Sequence, residues 1–340
     1  MDICTFIDSL NCLTDLHLHL DGSVSVASAR RLAEIENVSL PDDDDELKDL
    51  LMVSEDCADL NEYLERFSLP VSLMQSEESL KTAAEDLCNT LSDKGLMYAE
   101  IRFAPQKHCE KGLTQKEVVK AVLEGIKASG FDAGLILCCM RDGADNRAEN
   151  LETVRLSSEF KNNGVCACDL AGAEALFPNE NYIYVFEEAK RLGVRLTVHS
   201  GEALGADSVR IALENGADRI GHGVRSEEEE AVVGLLREMD IPLEICPTSN
   251  INTCVVKSIS ELPVKKFIEQ GIRVTVNTDN MSVSSTDIKN ELKKTVKAFG
   301  FGVPELKTLL VNSVTASFAD DTLKEKCLKK IEDEFKRSVF

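Results

Sequence analysis

Short, nearly continuous apolar runs rich in Val, Ile and Leu alternate along the chain with longer amphipathic stretches that carry most of the charge. The runs lie at 13–19, 96–103, 133–140, 165–170, 194–199, 219–222, 242–246 and 272–277. Continuous rather than alternating hydrophobicity marks strands covered on both faces, the habit of parallel sheets assembled from βα units. Eight such strands is the number that closes a TIM-type (β/α)8 barrel, so the pattern predicts an α/β barrel. Between the runs, Thr114 with Glu117 and Ser226 with Glu229 have capping-box spacing, and Gly130 and Gly193 follow helical stretches where a left-handed cap is expected. Residues 22–95 are too many for one crossover helix; they predict several helices lying over the barrel mouth. The acidic run Asp42 to Asp45 within them reads as a solvated loop. No repeat, linker or shift of composition divides the chain, which predicts one domain over residues 1–340.

Composition narrows the function classes. A net charge of −22 over 340 residues repels polyphosphate, which sets nucleic acid and anionic membranes aside and favours a small neutral partner. The chain opens Met1-Asp2-Ile3-Cys4 with no basic segment before an apolar run, and nowhere reaches the roughly 18 uninterrupted apolar residues of a membrane span. A soluble, cytoplasmic protein is expected. Twelve cysteines without paired CxxC spacing fit buried reduced thiols, and Cys138, Cys139, Cys166 and Cys168, all in apolar runs, read as small core residues. Gly-rich phosphate loops are missing, and oligomeric state is left open.

Chemistry concentrates in the histidines. Four of the five fall at or just after the C-terminal ends of predicted strands, which is where barrel active sites sit. His17 and His19 are two residues apart on a strand, so both imidazoles project to one side while Leu16, Leu18 and Leu20 face the helices. His199 ends the fifth run and Asp279 follows the eighth. Three imidazoles and a carboxylate suit zinc with one position left for water, although ligand type alone leaves iron and manganese open. Such an ion would supply a hydroxide nucleophile near neutral pH. Glu202, just past His199, reads either as a proton carrier or as a glutamate favoured at a helix start. His222, between Gly221 and Gly223, is a fourth ligand or, preferably, a neighbour that orients the hydroxide, with Glu244 fixing its tautomer. His108, in a polar loop after Pro105, is expected at the surface.

In chain order, His17-Leu18-His19-Leu20-Asp21-Gly22, Asp169-Leu170-Ala171-Gly172-Ala173-Glu174, Thr197-Val198-His199-Ser200-Gly201-Glu202, Arg219-Ile220-Gly221-His222-Gly223 and Thr278-Asp279 resemble the motifs of the adenosine deaminase family, within the amidohydrolase group of metal barrels. The resemblance spans nearly the whole chain. It implies one zinc ion held by His17, His19, His199 and Asp279, and Glu202 as the acid that protonates purine N1 while hydroxide, oriented by His222 and Asp279, attacks C6. It further implies that Gly172 contacts the purine through its backbone, that Asp21 and His19 contact the nucleoside, and that Leu60, Tyr63, Leu64 and Phe67 form an apolar lid. By the sequence alone, that last stretch is equally a helix packed into the core.

One departure is visible: many family members carry Asp-Asp-Pro where this chain has Asp279-Asn280-Met281. Purine N7 only accepts hydrogen bonds, and the Asn280 amide donates at any pH, so recognition is expected to survive the exchange. The implied activity is hydrolytic deamination of adenosine or 2′-deoxyadenosine to inosine or 2′-deoxyinosine plus ammonia, a step of purine salvage. Alternatives are another 6-aminopurine (adenine, an N6-substituted or nucleotide form, or a futalosine-type nucleoside), a different hydrolysis such as opening a cyclic amide, and a non-catalytic metal- or purine-binding protein. Nucleotides are disfavoured because no basic cluster accompanies the motifs. Glu202 directly after the third ligand and the Asp169–Glu174 turn argue against cyclic amides, and retention of every ligand argues against lost catalysis.

Overall fold

The computed structural model describes residues 2–54, 57, 60–143 and 145–337. Eight parallel strands, β1 (Leu13–His19), β2 (Leu96–Phe103), β3 (Ala133–Arg141), β4 (Val165–Gly172), β5 (Thr197–Ser200), β6 (Arg219–His222), β7 (Leu243–Ile245) and β8 (Val274–Val276), form two ladders in the orders β1-β2-β3-β4 and β5-β6-β7-β8. Parallel bridges Cys168↔Leu196 and Leu18↔Asp279 join the ladders into a nearly closed (β/α)8 barrel, as the eight runs predict. The second bridge is held by Asp279 N–H to the His17 carbonyl at 2.7 Å and His19 N–H to the Asp279 carbonyl at 2.8 Å. Strands β5 and β8 start later than their apolar runs, whose first residues Val194 and Ile272 pack into the core beyond the ends of the ladders, and β7 is one residue shorter than its run at each end.

Leu16, Leu18 and Leu20 lie in the hydrophobic layer, as their alternation with the histidines requires. The opposite faces of the strands line the barrel axis, and much of that space is charged. Tyr98, Glu100 and Arg102 alternate along β2, all buried. Arg102 reaches Asp169 on β4 at 3.0 Å and Glu244 on β7 at 2.9 Å, while Arg219 on β6 meets Glu244 and Glu100 at 2.5 Å each. A buried ion costs several kcal/mol unless it is paired and hydrogen-bonded, and here signs alternate around the axis so that each charge has partners.

Helix Gln115–Ser129 opens with the expected capping box of Thr114 and Glu117, and Gly130 and Gly193 adopt the left-handed conformation at helix ends. The second expected box is absent. Successive tight turns, Ser226 N–H to Gly223 carbonyl and Glu229 N–H to Ser226 carbonyl, take up the segment, so the α-helix starts only at Glu230. Ser226 is buried in that turn rather than capping. Nor is the acidic run a loop: Asp43 accepts the N–H groups of Asp45 and Glu46 and caps helix Asp44–Leu51, where the dipole favours negative charge.

Between β1 and β2 stand helices Val26–Glu36, Asp44–Leu51, Leu60–Glu65, Ser68–Ser72 and Glu77–Asp93, the several helices that the length of this segment predicts. Among the described residues no cysteine forms a disulfide. Among the described residues no helix is long and apolar enough to cross a membrane.

Candidate active site

The C-terminal ends of β1, β5 and β8 bring four ligand atoms together. His199 Nε2 lies 3.1 Å from His17 Nε2 and 3.4 Å from His19 Nε2, and Asp279 Oδ1 lies 3.4 Å from each of the latter two. Two nitrogens about 2.05 Å from a common zinc at a tetrahedral angle stand about 3.3 Å apart, so this donor set has the spacing of ligands to one ion. His222 belongs to the same cluster: the ligand atoms of His17, His199, His222 and Asp279 lie within 4.8 Å of one another.

The far ring nitrogens explain the orientation. His17 Nδ1 is 2.8 Å from Glu244 Oε2, and His199 Nδ1 is 3.0 Å from Asp169 Oδ2. Each carboxylate draws the imidazole proton to Nδ1 and leaves Nε2 a lone pair. Burial works against ionising these carboxylates. Even so, His199 and Arg102 hold Asp169 well below the usual range, and Arg102 and Arg219 do the same for Glu244. Burial, with Arg102 second, lowers His17, so its neutral ligand form is favoured.

Three differences from the sequence reading follow. Glu244 serves His17, not His222; the partner of His222 Nδ1 is the Asn250 amide at 3.0 Å. His108 is fully buried rather than at the surface, because the turn Pro105–His108 tucks its ring against Phe103 with Nδ1 2.8 Å from the Met74 carbonyl. Arg102, which ties together the carboxylates behind two of the histidines, went unnoticed; charged residues at every second position of an otherwise apolar run, Glu100 and Arg102, were its signal.

Backbone strain accompanies the cluster. His222 and Asp279 have φ of 60° and 61°, a left-handed conformation uncommon for residues with side chains and often retained at functional sites. Gly221 answers a close approach, since a Cβ there would sit 3.1 Å from Cε1 of His17.

Above the cluster opens a cavity of about 450 Å³. His19, Asp21, Tyr63, Leu64, Phe67, Gly172, His199, Glu202, His222, Asp279 and Asn280 all line it, so of the residues expected to bind metal or substrate or to act in catalysis only the fully buried His17 does not border the cavity. Tyr63 and Phe67 form a small apolar cluster with Val283 apart from the main core, and the Phe67 ring stands 6.3 Å from that of His19, edge to face. That answers the open question about this stretch: it faces the cavity. Glu202 is buried, accepts from Thr253 Oγ1 at 3.1 Å, and stands 3.6 Å from His222 Nε2. Burial raises its pKa, reinforced by Asp279 and Glu174 against the opposing charge of His222. Burial also pushes Asp21 up to about 6, and its Oδ1 has no partner among the described residues.

Such a cluster at the strand ends, with a buried acid over the same cavity, defines a metal-centred class of (β/α)8 barrels. The family model for adenosine deaminase matches residues 12–334. An adenosine deaminase of Haemophilus ducreyi is 44% identical over 334 residues, covering 96% of this chain and 97% of its own. One of Enterococcus faecalis is 38% identical over 325 residues, covering 94% and 96%. Among solved structures, adenine deaminase from Arthrobacter aurescens aligns with a TM-score of 0.85 at 26% identity over 95% of this chain and 99% of that one. The N6-methyl-AMP deaminase of Arabidopsis thaliana, with a TM-score of 0.83 at 23% identity over 97% and 98%, shares the fold. The chain belongs to the adenosine deaminase family.

Proposed function

We propose that this protein deaminates adenosine and 2′-deoxyadenosine hydrolytically, releasing ammonia and the corresponding inosine, with one zinc ion held by His17, His19, His199 and Asp279. The observation that carries the reading is the convergence of three imidazole Nε2 atoms and Asp279 Oδ1 beneath a cavity into which Glu202 also faces. Zinc bound there would lower the pKa of water toward neutrality and so supply hydroxide.

The chain's own residues do the rest. Glu202, whose carboxylic acid form is favoured by burial, delivers its proton to N1; the ring loses aromatic character and C6 becomes electrophilic. His222 and Asp279 orient the attacking oxygen toward C6. As the C6–N bond breaks, the amine takes up the proton of the hydroxyl now on C6 and leaves as ammonia, and that oxygen becomes the C6 carbonyl. Asn280 lays Oδ1 against Gly22, where a Cβ would intrude to 1.8 Å, which leaves its NH2 to donate to N7. Gly172 meets the purine through its backbone, and Asp21 with His19 receives the ribose hydroxyls. Tyr63, Leu64 and Phe67 cover the base and keep bulk water out.

A nucleoside suits this cavity better than a nucleotide. Of the two cations that line it, Lys107 is paired with Asp142 at 2.7 Å, and Arg141 is engaged with the His199 carbonyl and Asn179. Among the described lining residues no unpaired cation stands ready for a phosphate.

The test is the ultraviolet spectrum of adenosine incubated with zinc-loaded protein, with adenine and AMP in parallel. Conversion of adenosine to inosine is the expected result. No change in adenosine at full zinc occupancy, with turnover of adenine or AMP instead, would replace adenosine by that substrate.

A further inference from the structure

Glu202 stands in an irregular turn, residues 201–204, just before helix Ala206–Glu214, and a turn cannot by itself hold an acid to sub-ångström tolerance. What holds it is a second glutamate. Glu174, in the loop after β4, is 1% exposed. Its Oε2 accepts the N–H groups of Glu202 at 3.1 Å, Ala203 at 2.7 Å and Leu204 at 3.1 Å. Its Oε1 accepts the N–H of Gly201 at 2.8 Å and the Ser208 hydroxyl at 2.6 Å. Four successive backbone donors thus wrap one carboxylate, a nest that only an anion with both oxygens free to accept can fill. Hydrogen bonds to an ionised acceptor are roughly twice as strong as neutral ones, and these close on the backbone nitrogen of Glu202 itself.

We infer that Glu174 is a positioning residue for the deamination: its carboxylate fixes the backbone of residues 201–204 so that the Glu202 carboxyl meets purine N1. The inference rests on the reading of Glu202 as the proton donor. Glu174 lines neither the cavity nor the metal cluster, so it acts on the transition state through the turn that carries Glu202. Loss of the nest should therefore leave binding of the ground state intact. Displacing a reacting group by about 1 Å costs on the order of 100-fold in rate.

Glu174→Gln keeps the shape of the side chain but turns an NH2 donor toward backbone donors. The expected result is a fall in kcat on the order of 30- to 100-fold, with KM for adenosine, affinity for inosine and zinc content close to those of the parent. Ser208→Ala removes a single donor to Glu174 and leaves the four backbone bonds; a smaller fall in kcat, on the order of threefold to tenfold, is expected with KM unchanged. Should the Gln variant not fold, the Ser208 variant decides: a lowered kcat at unchanged KM supports the inference, and an unchanged kcat overturns it. Parallel loss of kcat, zinc and inosine affinity in the Gln variant would also overturn it, since that is the mark of a structural role. Glu202→Gln, measured alongside, separates the two levels. An inactive Glu202 variant beside a fully active Glu174 variant rejects the positioning role alone, whereas a fully active Glu202 variant rejects the assignment of the acid and the inference with it.

Discussion

Beneath the cavity, His17 and His199 are each held at Nδ1 by a buried carboxylate, and both carboxylates are joined through Arg102. Above it, Tyr63 and Phe67 sit in a small apolar cluster with Val283, with Tyr63 Oη 2.7 Å from Ser284 Oγ and the Phe67 ring edge to face with His19. The floor is directional and fully enclosed; the roof is apolar and partly open. Ligands to a metal tolerate only small displacements, which calls for hydrogen bonds of fixed direction, whereas a covering wall needs only area, which hydrophobic contact supplies without fixing angles. Between the end of β2 and the helices over the mouth, His108 hangs after β2 with its ring nitrogen on the carbonyl of Met74, just past helix Ser68–Ser72.

The contrast breaks most sharply at the floor. His199→Ala or Asp279→Ala should abolish turnover, by more than about 1000-fold, and lower the zinc recovered per chain; near-parent zinc with normal rates would remove the residue from the ligand set. Chelation of the parent protein should give the same loss, restored by added zinc.

Next in size is the effect of His108. The pKa of His108 is lowered to about 4 by burial, against about 6.5 in an unfolded chain. Between those values the unfolded chain binds more protons than the folded one. This contribution to stability is therefore complete above pH 6.5, is lost as pH falls toward 4, and amounts to about 3 kcal/mol. Urea denaturation across that range should show it, and His108→Gln should flatten the profile; an equally steep profile in the variant would place the titration elsewhere.

Asp169→Asn leaves His199 a weaker partner, and zinc affinity should fall by about 10- to 100-fold, measured by competition with a chelator. The smallest effect belongs to the roof. Phe67→Ala should raise KM for adenosine on the order of tenfold, as part of the ~1.5–3 kcal/mol of a buried aromatic is lost, with kcat little changed. A fall in kcat larger than the rise in KM would show that the roof also aligns the reacting groups.

Most of the barrel was legible because a strand covered on both faces must be apolar throughout, and eight such runs were countable; β1, β2 and β6 begin and end where their runs do. The clustered histidines were legible for a simpler reason: His17 and His19 share a strand face by the period of two, and His199 and Asp279 fall at the ends of runs. The second capping box failed because its spacing matched while neighbouring turns took its hydrogen bonds, a competition that local spacing cannot reveal. His108 failed likewise, since a polar loop can fold inward when a distant carbonyl awaits its nitrogen.

By itself, then, the sequence determined the order of strands and helices, the residues able to bind a metal, and the end of the barrel where they gather. Each of these depends on near neighbours in the chain or on a period. Only the tertiary structure decided which carboxylate serves which histidine, that Arg102 links those carboxylates, that Tyr63 and Phe67 face the cavity, and that Glu174 wraps the turn of Glu202. Those are pairings between residues 27 to 227 positions apart, and a hydrogen bond is set by distance in space, to which position along the chain is no guide.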